Sequence, residues 1–271
     1  MAKKLTIYGL DGKAGAHAQL PVQFDEAVRT DLIKKAVLCI QSRARQPYGA
    51  HPMAGKRHSV DVSRRRRDYR GSYGLGISRV PRKVLSRRGM RMNWVGALAP
   101  QTVGGRRAHP PKAEKDWTRD INKKENRKAI RSAIAATVDK AIVTGRGHFA
   151  PEHYPFILAN SVEAIAKTKE LIATLEKLGF EKELARGADT TTRSGLGKMR
   201  GRTVKVRVSI LLVTATTDAA VIKAAQNIPG MEAAAVHELN AEILAPGTHA
   251  GRITLFTEAA LKIMEEKKLF L

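Results

Sequence analysis

One cysteine, Cys39, is all that this chain of 271 residues holds. It excludes an internal disulfide and fits a reducing, cytoplasmic setting. Long apolar runs are lacking too. Runs such as Ile210–Val213 fall far short of the ~20 residues of a membrane-spanning helix. The opening Met1-Ala-Lys-Lys-Leu-Thr-Ile-Tyr8 enters strand-like sequence at once, so no signal peptide is expected before the fold. Acidic residues are scarce: 25 Asp+Glu stand against 49 Lys+Arg, a formal charge of +24. Such an excess works against the compact state unless an anionic partner cancels it, and nucleic acid is the expected partner.

Chemistry-bearing motifs are also missing. Gly195-Leu-Gly197-Lys-Met-Arg-Gly201 has one residue too many for a dinucleotide fingerprint, and a β-branched strand follows it where a helix should. The Gly9–Gly15 turn is no better, and no phosphate-binding P-loop is present. His237-Glu238 opens like a zinc-protease motif, but Ala241 stands where the second histidine is required. His17, His51, His58, His109, His148, His153 and His249 are scattered, so no metal cage is assembled. The expectation is a non-enzyme with no cofactor, no metal, no small-molecule substrate and no membrane contact.

What is there is a concentration of arginine. Residues 43–112 hold 18 Lys+Arg, 15 of them Arg, against two acids, Asp61 and Asp68, so +16 of the +24 lies in 70 residues. Nine glycines and six prolines punctuate the stretch, and no sustained periodicity of 3.6 or 2 runs through it. Self-repulsion with few apolar anchors leaves little to offset ordering entropy. The expectation is a long extended arm that orders along a polyanion. Drawn out as a hairpin it would reach at most ~115 Å, against a radius of gyration of ~16–17 Å for the rest. Guanidinium groups clamp phosphate bidentately and stack on bases, and aromatics stack on unpaired bases. The candidate RNA contacts are therefore Arg43, Arg45, Lys56, Arg57, Arg64, Arg65, Arg66, Arg67, Tyr69, Arg70, Tyr73, Arg79, Arg82, Lys83, Arg87, Arg88, Arg91, Trp94, Arg106, Arg107, His109 and Lys112. Local packing within the arm is the competing role for its aromatics. A second basic patch, Arg193, Lys198, Arg200, Arg202, Lys205 and Arg207, joins them.

On either side of the arm the pattern is globular, with residues 1–42 and 113–271 as one domain. Thr6–Tyr8 and His17–Leu20 read as strands, and a helix from about Glu26 turns Ile33, Ala36, Val37 and Ile40 inward. Asn122–Glu125 and Asn160–Glu163 resemble capping boxes that open helices. Phe156–Leu158, Val204–Val213, Ala234–Val236 and Ile253–Phe256 read as strands, with helices near Val221–Gln226 and from Thr257. Alternating strands and helices imply an α/β three-layer sandwich around a mainly parallel sheet.

These residues carry a resemblance. Gly71-Ser-Tyr-Gly74-Leu-Gly-Ile-Ser-Arg79-Val-Pro81-Arg, Gly104-Gly-Arg-Arg107-Ala-His-Pro-Pro-Lys112, Ile121-Asn-Lys-Lys-Glu125, Arg146-Gly-His148 and Leu244-Ala-Pro-Gly247 are similar to segments of the large-subunit ribosomal protein L-four family, in its archaeal/eukaryotic form. The likeness runs essentially end to end. It implies an α/β domain on the outside of the large subunit and an internal loop threading ribosomal RNA to the polypeptide exit tunnel. It also implies a loop tip, Arg67, Tyr69, Arg70, Gly71, Ser72, Tyr73, Gly74, Leu75, Gly76 and Arg79, lining the tunnel beside a second tunnel protein. Contact with several RNA domains and a role early in assembly are implied as well. A free RNA chaperone and an RNA-modifying enzyme are the alternatives.

Overall fold

A computed structural model describes residues 4–60, 62–89 and 91–271. Met1–Lys3, part of the segment read as leaderless, and Asp61 lie outside the described residues. Strand β1 (Lys4–Tyr8) turns into β2 (Ala14–Gln19), and α1 (Thr30–Ala44) follows. The basic stretch contributes β3 (Arg82–Arg88) and β4 (Arg91–Gly96). Then come α2 (Lys123–Val138), α3 (Lys140–Gly145), β5 (Ile157–Leu158), α4 (Thr168–Lys177) and α5 (Glu181–Ala188). The chain continues through β6 (Thr190–Thr192), β7 (Val204–Val206), β8 (Leu211–Thr214), α6 (Ala220–Gln226), β9 (Glu232–Ala235), α7 (Ala241–Leu244), β10 (Thr254–Thr257) and α8 (Glu258–Glu266). It divides into two compact units, one formed by the chain up to Ala44 with Thr118–Leu271, the other by Arg45–Trp117.

In the first unit six strands lie in the order β2-β1-β5-β10-β8-β9. The β1–β2 pair is antiparallel and the other pairings are parallel. Side chains of β8 alternate between two cores, as the period of a strand requires. Leu211 and Val213 join Ile33, Val37, Ile134, Leu244 and Met264, from α1, α2, α7 and α8. Ile210 and Leu212 join Leu171, Leu175, Val221 and Ala224, from α4 and α6. Burial on both faces explains the uninterrupted apolar run.

Several expected elements are placed differently. Helix α1 begins at Thr30, after a short 3-10 turn at Val22–Asp25. Helix α2 does open after Asn122, but with half of the capping box: Glu125 takes a bond from the Asn122 backbone and is also held by Lys35 at 2.6 Å, while the Asn122 side chain makes no cap bond. Asn160–Ala164 is a 3-10 turn, and the helix starts only at Thr168. Its capping-box residues are used elsewhere: Asn160 Oδ1 accepts from the Ala259 N–H, and Glu163 Oε1 accepts from the Ala215 N–H and the Thr257 hydroxyl.

Val204–Val213 is not one strand. Val204 and Val206 are exposed in a separate ribbon with β6, and only Leu211–Thr214 enters the sheet. The intervening backbone is captured from the side. Arg186 Nη2 donates to Val208 O at 2.6 Å, Arg252 Nε donates to Ser209 O at 2.9 Å, and Ser209 N donates to Gly230 O at 2.7 Å. A Cβ on Gly230, where φ is +75°, would stand 2.3 Å from Arg207 O.

The basic unit is not featureless either. Strands β3 and β4 form an antiparallel hairpin with Lys83 opposite Val95, Val84 opposite Trp94 and Arg87 opposite Met92. The register slips between Val84 and Ser86, and Asn93 Nδ2 donates to Ser86 Oγ at 2.9 Å. The hairpin escapes the alternation test because it has no buried apolar face: Leu85 and Val95 are exposed, and Arg82, Lys83, Arg87, Arg88 and Arg91 share its strands. At the foot the two legs are joined by a bond from Ala50 N to Pro111 O of 2.9 Å. A Cβ on Gly49 would lie 2.3 Å from Ala113 N, so the legs meet backbone to backbone.

Candidate nucleic-acid interface

Most of the basic residues singled out above stand in solvent. Arg45, Lys56, Arg57, Arg64–Arg67, Arg79, Arg87, Arg88, Arg91, Arg107, His109 and Lys112 are exposed, and Arg70, Arg82, Lys83 and Arg106 are half-buried. Arg43 differs. It lies in the last turn of α1, outside the basic unit, and Nη2 pairs with Asp120 at 2.9 Å. Asp68 offsets only part of the run beside it and spends its hydrogen bonds on its own turn. Its carboxylate accepts from the Ser63 hydroxyl and the Tyr69 N–H, both at 2.8 Å. Those bonds, with Arg65 nearby, hold its carboxyl below the usual carboxylate range.

Each expected stacking aromatic already carries an arginine. Arg79 Cζ lies 4.9 Å from the Tyr73 ring centre, and Arg82 lies 5.2 Å from that of Trp94. Tyr69 has Arg70 at 5.3 Å and Arg87 at 5.0 Å. Local packing and base stacking are thus not exclusive: cation–π contacts hold the rings in fixed poses. Around Tyr69 the backbone is tightly wound, with Arg67 and Arg70 both in the left-handed region at φ near +57° and +58°. Gly71 bridges to Ser63, and its N–H donates to Asp68 O at 3.0 Å. Ser72 is buried with its hydroxyl unpartnered, whereas Gly74, Leu75 and Gly76 are exposed. Non-glycine residues in that region carry strain, which concentrates at functional turns.

The second patch forms the tip of the β6–β7 ribbon. Thr191 pairs with Lys205, and Arg193 N donates to Thr203 O at 2.9 Å. Gly201, at φ +76°, turns the chain back. Arg193, Lys198, Arg200, Arg202, Lys205 and Arg207 are exposed, and Arg207 pairs with Asp189 at 2.8 Å. The glycines of the fingerprint-like stretch therefore serve a hairpin loop.

Two features escaped the pattern search. At the foot of the basic unit Tyr48 and Trp117 stack with ring centres 4.6 Å apart. Arg45 Cζ and Lys115 Nζ lie 5.3 Å and 5.0 Å from the Trp117 ring centre. The signal was present, an aromatic beside a cation at each end of the arm, but chain separation hid it.

The other is a buried ionic cluster in the first unit. Glu183 accepts from His148 Nδ1 at 2.7 Å, Phe149 N at 2.9 Å, Arg186 Nη2 at 2.5 Å and Ser209 Oγ at 3.0 Å. An ionised carboxylate only accepts, so Nδ1 of His148 carries the proton. Burial pushes the His148 pKa down against the pull of Glu183. Arg252, fully buried, donates from Nη1 to Glu232 at 2.5 Å and to Ile243 O at 2.9 Å. Arg252 Nη2 is buried without a hydrogen-bond partner; the other groups bond one another and clamp strand ends, which marks them as structural. Among the described residues no group of His, Cys, Asp and Glu is placed to hold a metal ion, and no helix is long and apolar enough to cross a membrane.

Known proteins share this arrangement of sequence from end to end. The profile of the Ribosomal protein L4/L1 family matches residues 18–267. The large ribosomal subunit protein uL4 of Nanoarchaeum equitans is 47% identical over 267 residues, 98% of this chain and 99% of that one. The uL4 proteins of Archaeoglobus fulgidus and Halobacterium salinarum are 40% and 39% identical, each across 97% of this chain and 98% and 100% of theirs. A match of that extent, covering both the α/β body and the arginine-dense stretch, places the chain in the Ribosomal protein L4/L1 family.

Proposed function

We propose that this protein is a structural constituent of the large ribosomal subunit, where it binds ribosomal RNA and acts in early assembly. End-to-end identity with chains named large ribosomal subunit protein carries the reading. Exposed arginines on the arm and on the β6–β7 tip support it, because they offer phosphate a set of charges that few acids neutralise. The body, residues 1–42 and 113–271 in a three-layer sandwich, seats on RNA, and the arm of residues 43–112 reaches the polypeptide exit tunnel. Its tip, Arg67–Arg79, forms part of the tunnel wall beside a second tunnel protein. The role is one of binding and shaping, without catalysis.

Sedimentation tests this. Tagged protein in cells of its own lineage should travel with large subunits and stay there in ~0.5 M salt, because screening strips peripheral phosphate contacts first. Release into the light fractions at that salt identifies a visiting RNA-binding protein instead.

A further inference from the structure

The geometry points to a binding site for one unpaired RNA base at the foot of the arm, with Tyr48 as its stacking surface. This rests on the RNA-binding reading above and names a contact within it. A cleft of about 650 Å³ opens there, lined among others by Tyr48, Arg107, His109, Lys112, Lys115 and Trp117. That size lies within the ~300–1,000 Å³ of small-ligand sites. Its lining includes three permanent cations and no acid, so its occupant is anionic. Prolines 110 and 111 form a wall without backbone donors, which suits the flat face of a base.

Trp117 is already covered by Tyr48, Arg45 and Lys115, whereas Tyr48 is 57% exposed. The free aromatic surface is therefore the tyrosine's, and the tryptophan backs it. Trp117 also keeps an Nε1–H with no acceptor. A duplex presents no base face to such a platform; a splayed nucleotide does. Its phosphate would fall to Arg107, Lys112 and Lys115, the cations that share the cleft. The rigid foot pre-shapes the site, because Gly49 packs directly on the Lys112–Ala113 backbone.

Trp117 supplies its own reporter, since the chain has two tryptophans and Trp94→Phe leaves one. The full-length Trp94→Phe protein is mixed, at ~0.3 M salt, with a dye-labelled adenosine octaribonucleotide or an abasic ribose-phosphate octamer of equal charge. Indole fluorescence reads the cleft and dye anisotropy reads total binding. The adenosine strand should quench Trp117 and the abasic strand should not. Tyr48→Ala should weaken the quenching titration by about tenfold, the usual worth of one stacked base, and Tyr48→Phe should preserve it. Tyr48→Leu, which keeps an apolar side chain at the foot, should behave as Tyr48→Ala. Binding by anisotropy with an unchanged indole signal, or equal titrations for Tyr48→Ala and the parent, overturns the base site and leaves the RNA reading standing. No anisotropy change with either strand overturns both.

Discussion

Exchanging Glu183 for glutamine tests whether the buried ionic cluster holds the body together. The substitution keeps the volume and removes the charge. Every group facing the carboxylate is a donor: His148 Nδ1, the Phe149 N–H, the Arg186 guanidinium and the Ser209 hydroxyl. An amide has one oxygen for these, and its NH2 is forced against another donor. Leaving a buried partner uncompensated costs about 3–5 kcal/mol. Arg186 keeps its bond to Val208 O, which places the cost toward the lower end.

A second route gives a similar size. Burial pushes the Glu183 pKa up, but the hydrogen bonds from Arg186, His148 and Phe149 outweigh it and hold the group at about 2, against an ordinary 4.5. A depressed carboxylate stabilises the fold above its unfolded pKa and loses that contribution as pH falls through the folded value. Here the window runs from about 4.5 down to about 2 and is worth roughly 3 kcal/mol. At ~2–4 °C per kcal/mol for a unit of this size, Glu183→Gln should lower Tm by about 6–12 °C at pH 7. Calorimetry or circular dichroism on the full chain reads this directly. The gap to the parent should narrow as pH drops below about 4.5. A Tm within about 2 °C of the parent at pH 7, or a gap that does not shrink in acid, refutes the reasoning.

Other perturbations follow from the same geometry. Gly230→Ala should cost the body about 2 kcal/mol or more in urea unfolding, because φ is +75° and its Cβ meets Arg207 O. Arg252→Met should cost about 1–3 kcal/mol, as Ser209 O and Ile243 O lose a buried donor while the half-exposed Glu232 returns to water. Neutralising Arg200, Arg202 and Lys205 together should leave Tm unchanged, since all three are exposed, and reduce incorporation into large subunits in competition with the parent; equal incorporation argues against the ribbon as an RNA contact.

The parts of this fold that declare themselves locally are those whose side chains have a single task. Ile33, Ala36 and Val37 sit on one stripe of α1, and Ile210–Val213 fill both faces of a buried strand. The exposure of the basic residues was equally legible, because dense charge of one sign stays in solvent whatever the fold. Errors fell where tertiary partners reassign a residue. Asn160 and Glu163 look like a helix cap but spend their oxygens on Ala259, Ala215 and Thr257. Val204 and Val206 alternate like a sheet strand, yet Arg186, Arg252 and Gly230 capture the backbone before it reaches the sheet. Tyr48 with Trp117, and His148 with Glu183, are neighbours only in three dimensions.

The two ends of the arginine-dense excursion leave the body at adjacent points, where Arg119 N donates to Ser42 Oγ at 2.9 Å and Arg43 pairs with Asp120. A detour pinned in this way is thermodynamically a loop, and doubling the length of a flexible loop costs only about 0.6 kcal/mol. The sheet is thus nearly indifferent to how long the detour is. Insertions and deletions between Arg45 and Trp117 should accumulate without unfolding the host domain, so the protein's own stability does not set the length that survives.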